Sequence, residues 1–161
     1  MPSNSLRDIE IRRPKSDDDL IALRAMRRQE LLGEIPTPKS QLHVDPKDLI
    51  DGAITLAAYS PDNTIVSTVR LMPIKDDDSV YEINRMVTAR PYRGRGIGSK
   101  VLAEGEQLAK DQGAKAFVLD SRRDARAFYA KAGYWPTGRT QTLENGDINF
   151  IMVKQIGGSI K

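Results

Sequence analysis

The sequence predicts an α+β fold, a sheet that begins antiparallel and takes one parallel step across a glycine-rich loop. Two patterns carry this. Three runs of β-type residues follow one another with only turn residues between them, which asks for antiparallel neighbours. The third run leads into a hexamer with three glycines, a helical repeat and a short apolar run. That order of strand, loop, helix and strand is the crossover that parallel strands need.

Taken in order, DIEIRR (8–13) alternates polar and apolar residues and reads as a strand. Ser16 or Asp17 can cap the helix that follows, which turns Leu20, Leu23, Met26 and Leu31 toward a core. Residues 33–48 hold three prolines and no clean period, so they read as a long connection with at most a short helical turn. ITLAAY (54–59) and TIVSTVRLM (64–72) flank the turn-forming SPDN and propose a hairpin. VYEINRMVT (80–88) gives the third strand after an acidic turn, KDDDS. Beyond the glycines, Val101, Leu102, Gly105, Leu108 and Ala109 recur at helical spacing, and AKAFVLD (114–120) is a short buried-type strand. RDARAFYAKAGY (123–134) reads as a helix with Gly133 at its C′ position, and INFIMVK (148–154) as a last strand.

The 161 residues fit one domain, 1–161, with the last few as a loose tail. A chain of that size buries roughly 70% of its unfolded surface. No stretch approaches 18 consecutive apolar residues, and MPSNSLRDIE lacks the apolar centre of a secretion signal, so we expect a cytoplasmic protein with no membrane partner. With no cysteine and one histidine, His43, neither thiolate catalysis nor a multi-histidine metal site is expected. A formal charge of +3, from 25 basic and 22 acidic residues, is too small to argue for a nucleic-acid partner.

RPYRGRGIGSK (90–100) is the stretch that carries chemistry. Glycine costs roughly 0.5–1 kcal/mol relative to alanine in regular structure, so three at alternate positions need a reason in backbone geometry or close approach. A helix start offers unpaired amides and the positive end of the dipole, which suits a phosphate. Arg90, Arg93, Arg95 and Lys100 crowd the same turn. The spacing is wrong for a nucleotide P-loop, because Ser99 separates Gly98 from Lys100, and wrong for the dinucleotide fingerprint, because the glycines step by two. A plain turn with solvated arginines and an arginine-glycine RNA-binding element are the other readings. The second normally belongs to disordered repeats.

EINRMVTARPYRGRGIGSKVL resembles the acetyl-CoA motif of the GNAT superfamily of N-acetyltransferases, [QR]-x-x-G-x-[GA] after a strand, with Arg93, Gly96 and Gly98 at the defined positions. ARAFYAKAGY is similar to the family's later helix, A-x-x-F-Y-x-K-x-G-[FY]. The resemblance implies a mostly antiparallel sheet of six to seven strands with one parallel splayed step, flanked by about four helices. It implies acetyl-CoA as co-substrate. Its pyrophosphate would lie on Arg93, Gly94, Arg95, Gly96, Ile97, Gly98 and Ser99, and its pantetheine and acetyl group on the backbone of Met86, Val87 and Thr88. Thr88 stands where the family usually has valine, and Arg122 where it has an asparagine seven residues before the tyrosine. Tyr129 falls on the tyrosine that protonates the departing thiolate.

A carboxylate near the acetyl group would help to neutralise an ammonium acceptor. Glu82 is the first choice. Strand alternation places it with Asn84 and Met86 on one face, one residue from the position of the family's best-known base. His43 in the proline-rich connection and the run Asp76, Asp77 and Asp78 read as solvated groups. The resemblance implies an N-acetyltransferase in which a primary amine attacks the thioester directly, the amine belonging to a small molecule or a protein. A homodimer stays open. An acyl-CoA-binding or sensing module without turnover is the alternative, and a nucleic-acid module the third reading.

Overall fold

The computed structural model describes residues 8–32 and 44–156. Strands β1 (Glu10–Arg12), β2 (Ile54–Tyr59), β3 (Ile65–Ile74), β4 (Asp77–Thr88), β5 (Ala116–Ser121), β6 (Trp135–Thr142) and β7 (Ile148–Gln155) form one sheet in the order β1-β2-β3-β4-β5-β7-β6. Every neighbouring pair is antiparallel except β4 with β5. Helices α1 (Asp17–Leu32), α2 (Ile97–Asp111) and α3 (Arg126–Lys131) flank it, with short 3-10 turns at 46–49, 90–92 and 123–125. His43 and most of the proline-rich connection lie outside the described residues.

Of the two candidate caps of α1, Ser16 serves. Its Oγ accepts from the Asp19 N–H at 3.0 Å, and Asp17, Asp18 and Asp19 place negative charge at the dipole's positive end. The helix lays Leu20 and Leu23 over Ala57, Tyr59 and Ile65 on one face of the sheet. The opposite face carries the main core, where α2 and α3 cover Leu56, Val69, Leu71, Ile83, Phe117 and Leu119. Each such side chain contributes roughly 1.5–3 kcal/mol by leaving water. At Gly105, α2 comes so close that a Cβ would meet Leu71 Cδ1 at 2.7 Å. The parallel pairing of β5 beside β4 follows from the length of α2, which carries the chain back along the sheet.

Two expectations need correction, and one strand went unread in the sequence. The acidic segment does not make a turn of its full length, because β4 begins at Asp77 and only Lys75 and Asp76 lie between the strands. The helix expected over 123–134 opens as a 3-10 turn, and its α portion is six residues. WPTGRTQT is a strand that alternation hides. As the edge strand β6 it is exposed throughout, so no face needs to be apolar, and Pro136 and Gly138 fall where its register slips.

Candidate active site

Strands β4 and β5 pair over four positions only, Val80 to Ile83 with Ala116 to Leu119, and then part. A bulge drives them apart. Arg70 opposes Asn84 and Thr68 opposes Val87, so two residues of β4 face one of β3, and Arg85 takes a left-handed φ of 53° to fit. The extra residue reverses the alternation. Glu82 and Asn84 lie on the α1 face, but Met86 and Thr88 turn to the α2 face, where their side chains approach Gly98. Met86 is therefore not on the face of Glu82, contrary to the alternation read from sequence.

The glycine loop ends at this gap. Gly94 and Gly96 have φ of 79° and 81°, a region that side chains avoid, and Gly96 is the N-cap of α2 with no side chain capping it. The first helical bond runs from Lys100 N–H to Gly96 O, which leaves the amides of Ile97, Gly98 and Ser99 for an external acceptor. Gly98 serves a different purpose. A Cβ there would stand 3.0 Å from Thr88 Oγ1, 3.4 Å from Met86 Cε and 3.6 Å from Phe128 Cε1, so β4, α2 and α3 converge on a cradle that glycine keeps open. Arg93 is otherwise engaged. Its N–H bonds Arg90 O, its Nε donates to Thr88 O at 2.8 Å, and its Nη2 lies 3.6 Å from Glu30 of α1. Ser67 holds the strand end from the other side, through Thr88 Oγ1 and Val87 O.

Tyr129 stands in α3, 8% exposed, edge-on to the rings of Phe128 and Tyr134. A Schellman ending fixes this helix: Gly133 N–H bonds Ala130 O and Tyr134 N–H bonds Tyr129 O. Tyr134 Oη donates to the buried Glu106 of α2 at 2.6 Å, and Lys154 of β7 donates to the same carboxylate at 2.8 Å. The Tyr129 hydroxyl accepts or donates no hydrogen bond among the described residues. Burial pushes its pKa up to about 12, so it stays protonated across the neutral range.

A cleft of about 990 Å³ runs through the parted strands. Tyr129 lines it from the α3 side. Glu82, Asn84, Asp120 and Arg122 line it along β4, β5 and the turn that follows, and Asn145 and Asp147 of the β6–β7 turn close it together with Asn149 at the start of β7. Beneath the α1 wall is a buried ionic cluster. Asp48, its carboxylate fully covered, accepts from Arg27 at 2.8 and 3.1 Å, from Thr55 Oγ1 at 2.8 Å and from Arg70 at 3.3 Å. Arg70 also reaches Asp45 at 3.0 Å and donates to Asn84 Oδ1 at 2.8 Å. The cost of removing Arg27 from water holds its pKa below the usual arginine value.

The structure thus brings Tyr129, Glu82 and Met86 to one cleft, which the glycine loop approaches at Gly98 beside Met86, Thr88 and Phe128, while Asp76 to Asp78 lie at the far end of β4. Sequence reasoning missed Asp120 and the Arg27–Asp48–Arg70–Asn84 cluster. Asp120 had a signal, a carboxylate at the carboxyl end of an apolar strand, where open sheets bind ligands. The cluster had none, because its members are scattered from position 27 to position 84.

Residues 20–134 match the model of the Acetyltransferase (GNAT) family. A candidate acetyltransferase of Bacillus subtilis (strain 168) is 26% identical over 90% of this chain and 95% of its own length. The aminoalkylphosphonate N-acetyltransferase of Salmonella typhimurium is 43% identical over 34% of this chain and 38% of its own. Several curated relatives are matched over about half of their own length or less. The crystal structure of a candidate N-acetyltransferase from Lactobacillus plantarum superposes with a TM-score of 0.72 at 27% identity, covering 92% of this chain and 98% of that one.

Proposed function

Because this chain belongs to the acetyltransferase (GNAT) family, we propose that it transfers the acetyl group of acetyl-CoA to a primary amine. The observation that carries the reading is that the uncapped α2 N-terminus packs at Gly98 on Met86 and Thr88 of the unpaired β4 edge, and that Met86 and Tyr129 line the cleft where β4 and β5 part. The groups present fit the coenzyme. Three free amides and the dipole suit a pyrophosphate, the cradle that a Cβ at Gly98 would fill suits a pantetheine arm, and residues 84–88 offer strand edge to an extended amide chain. Its thioester supplies the acetyl group.

The residues of the chain divide the work by face. On the α2 face, the amides of Ile97 to Ser99 hold the phosphates, and the backbone of Met86 to Thr88 orients the acyl end. Tyr129 lies on the same side, and its phenol gives a proton to the departing sulfur. A phenol near 12 is a weak acid toward an ordinary thiolate of about 8.5, but the burial that raises one raises the other, which narrows the gap. On the α1 face, Glu82 attracts the ammonium, which loses its proton to a carboxylate of the cleft, directly or through water, so that the amine enters the split neutral. No cysteine is present to carry an acyl intermediate, which favours direct attack.

The acceptor is a small amine on this reading. One matched relative is named for an aminoalkylphosphonate and another, from rice, for glucosamine 6-phosphate, both amines with a phosphorus oxyanion. Arg122 lines the cleft beside its carboxylates, held only loosely by Asp124 at 3.7 Å. The test is release of free thiol from acetyl-CoA by the purified chain with 2-aminoethylphosphonate, glucosamine 6-phosphate, spermidine and a free-amino peptide. Amine-dependent release supports the reading. Tight binding of acetyl-CoA with no release above the amine-free rate would favour the binding module.

A further inference from the structure

We infer that the carboxylate of the proposed site is a pair, in which Glu82 holds the acceptor ammonium and Asp120 takes its proton. The inference rests on the transfer reading above. Glu82 and Val118 are partners across β4 and β5, and Asp120 is two residues further along β5, so the period of two returns it to the face that Glu82 occupies. A strand spacing of about 4.8 Å and two residues of rise put their Cα atoms roughly 8 Å apart, a span that two side chains and one water bridge. Both line the cleft where the strands part.

Their surroundings differ. Glu82 stands at the end of a chain of donors, since Arg70 Nε donates to Asn84 Oδ1 at 2.8 Å and Asn84 Nδ2 lies 3.5 Å from Glu82 Oε1. The Asp120 carboxylate accepts no side-chain hydrogen bond among the described residues, and loss of water, then the charge of Glu82, holds it above the usual aspartate range. Two carboxyl groups in such different surroundings take different roles. The other charged or titratable groups on the cleft are Arg85 of β4, Arg122, Arg123 and Asp124 of the following turn, Tyr129 and Asp147. Arg122 is drawn to Asp124, and Arg123 lies over the Phe150 ring, so neither is committed to Asp120.

The protons balance. The ammonium gives one to Asp120, which returns it to solvent. The nitrogen lone pair forms the C–N bond as the C–S bond breaks, Tyr129 protonates the sulfur, and the second nitrogen proton restores the phenol. One proton leaves per turnover.

The experiment pairs carboxyl carbon NMR titration of the full chain with pH profiles of kcat/KM for acetyl-CoA and whichever amine of the panel is turned over. Asp120 should titrate above the ordinary aspartate range and move down in Glu82→Gln. Asp120→Asn should lower kcat at least tenfold and shift the acid limb, with Asp120→Glu restoring part of the rate. Glu82→Gln should chiefly raise the amine KM and move the acid limb to lower pH. An active wild type whose Asp120→Asn variant keeps its acid limb and loses less than threefold in kcat overturns the pair alone, as does an ordinary titration of Asp120. A wild type that binds acetyl-CoA but turns over no amine overturns the transfer reading and this inference with it.

Discussion

The two faces of the sheet solve different problems. On the α2 face the site is made of backbone, with free amides at a helix start, an unpaired strand edge and two glycines in left-handed conformations. On the α1 face it is made of side chains, with Glu82 and Asp120 over a buried cluster of two arginines and two aspartates. Backbone binding suits a ligand that never changes, and side-chain binding suits one that can differ from protein to protein. Changes on the α2 face should therefore act on the coenzyme and the chemistry, and changes on the α1 face on the acceptor and on stability.

The largest expected effect is at the boundary. Tyr129→Phe keeps the ring packed on Phe128 and Tyr134 and removes the proton, so kcat should fall by about 10²–10⁴ while acetyl-CoA affinity holds. A fall of less than about threefold, measured with the amine found in the panel, would return that role to water. Next is Asp48→Asn, which leaves Arg27 and Arg70 buried with Asp45 as the one counter-charge of the cluster among the described residues. Breaking such a cluster costs about 3–5 kcal/mol, read as a fall in denaturant midpoint, with acetyl-CoA binding by the folded fraction unchanged. A loss of coenzyme affinity there would mean that the faces are not separable.

Legibility follows the same division. The α2 face was legible because a backbone cradle is written locally, as Arg93, Gly96 and Gly98 within six residues and Tyr129 within one helix. The α1 face assembles residues from α1, the 46–49 turn, β3, β4 and β5, and only the folded chain brings them together. The bulge at Arg85 escaped because an arginine carries no mark of a left-handed φ, and it moved Met86 to the other face. Strand β6 escaped because an exposed edge needs no alternation.

A smaller effect is expected at Gly96→Asp, which sets a negative side chain where a pyrophosphate should lie and strains a φ of 81°. Acetyl-CoA binding should weaken at least tenfold, about 1.4 kcal/mol, in a calorimetric titration of the folded variant. Unchanged affinity would move the anion site away from the loop. The smallest concerns pH. The Tyr129 pKa is raised from 10.0 to about 12, so the stability tied to its neutral form is complete below pH 10 and lost as pH climbs toward 12. Over that window the melting temperature of wild type should fall more steeply than that of Tyr129→Phe, and below pH 10 the two curves should run parallel. Equal slopes throughout would place the hydroxyl in water.

The central claim is that the coenzyme enters the split between β4 and β5 from the α2 face, and amide hydrogen exchange with and without acetyl-CoA tests it most directly. The account predicts new protection at residues 86–88 and at Ile97, Gly98 and Ser99, with the α1 wall at Arg27 and Asp48 unchanged. Protection confined to the β6–β7 turn or to α1, with the glycine loop unaltered, would contradict it.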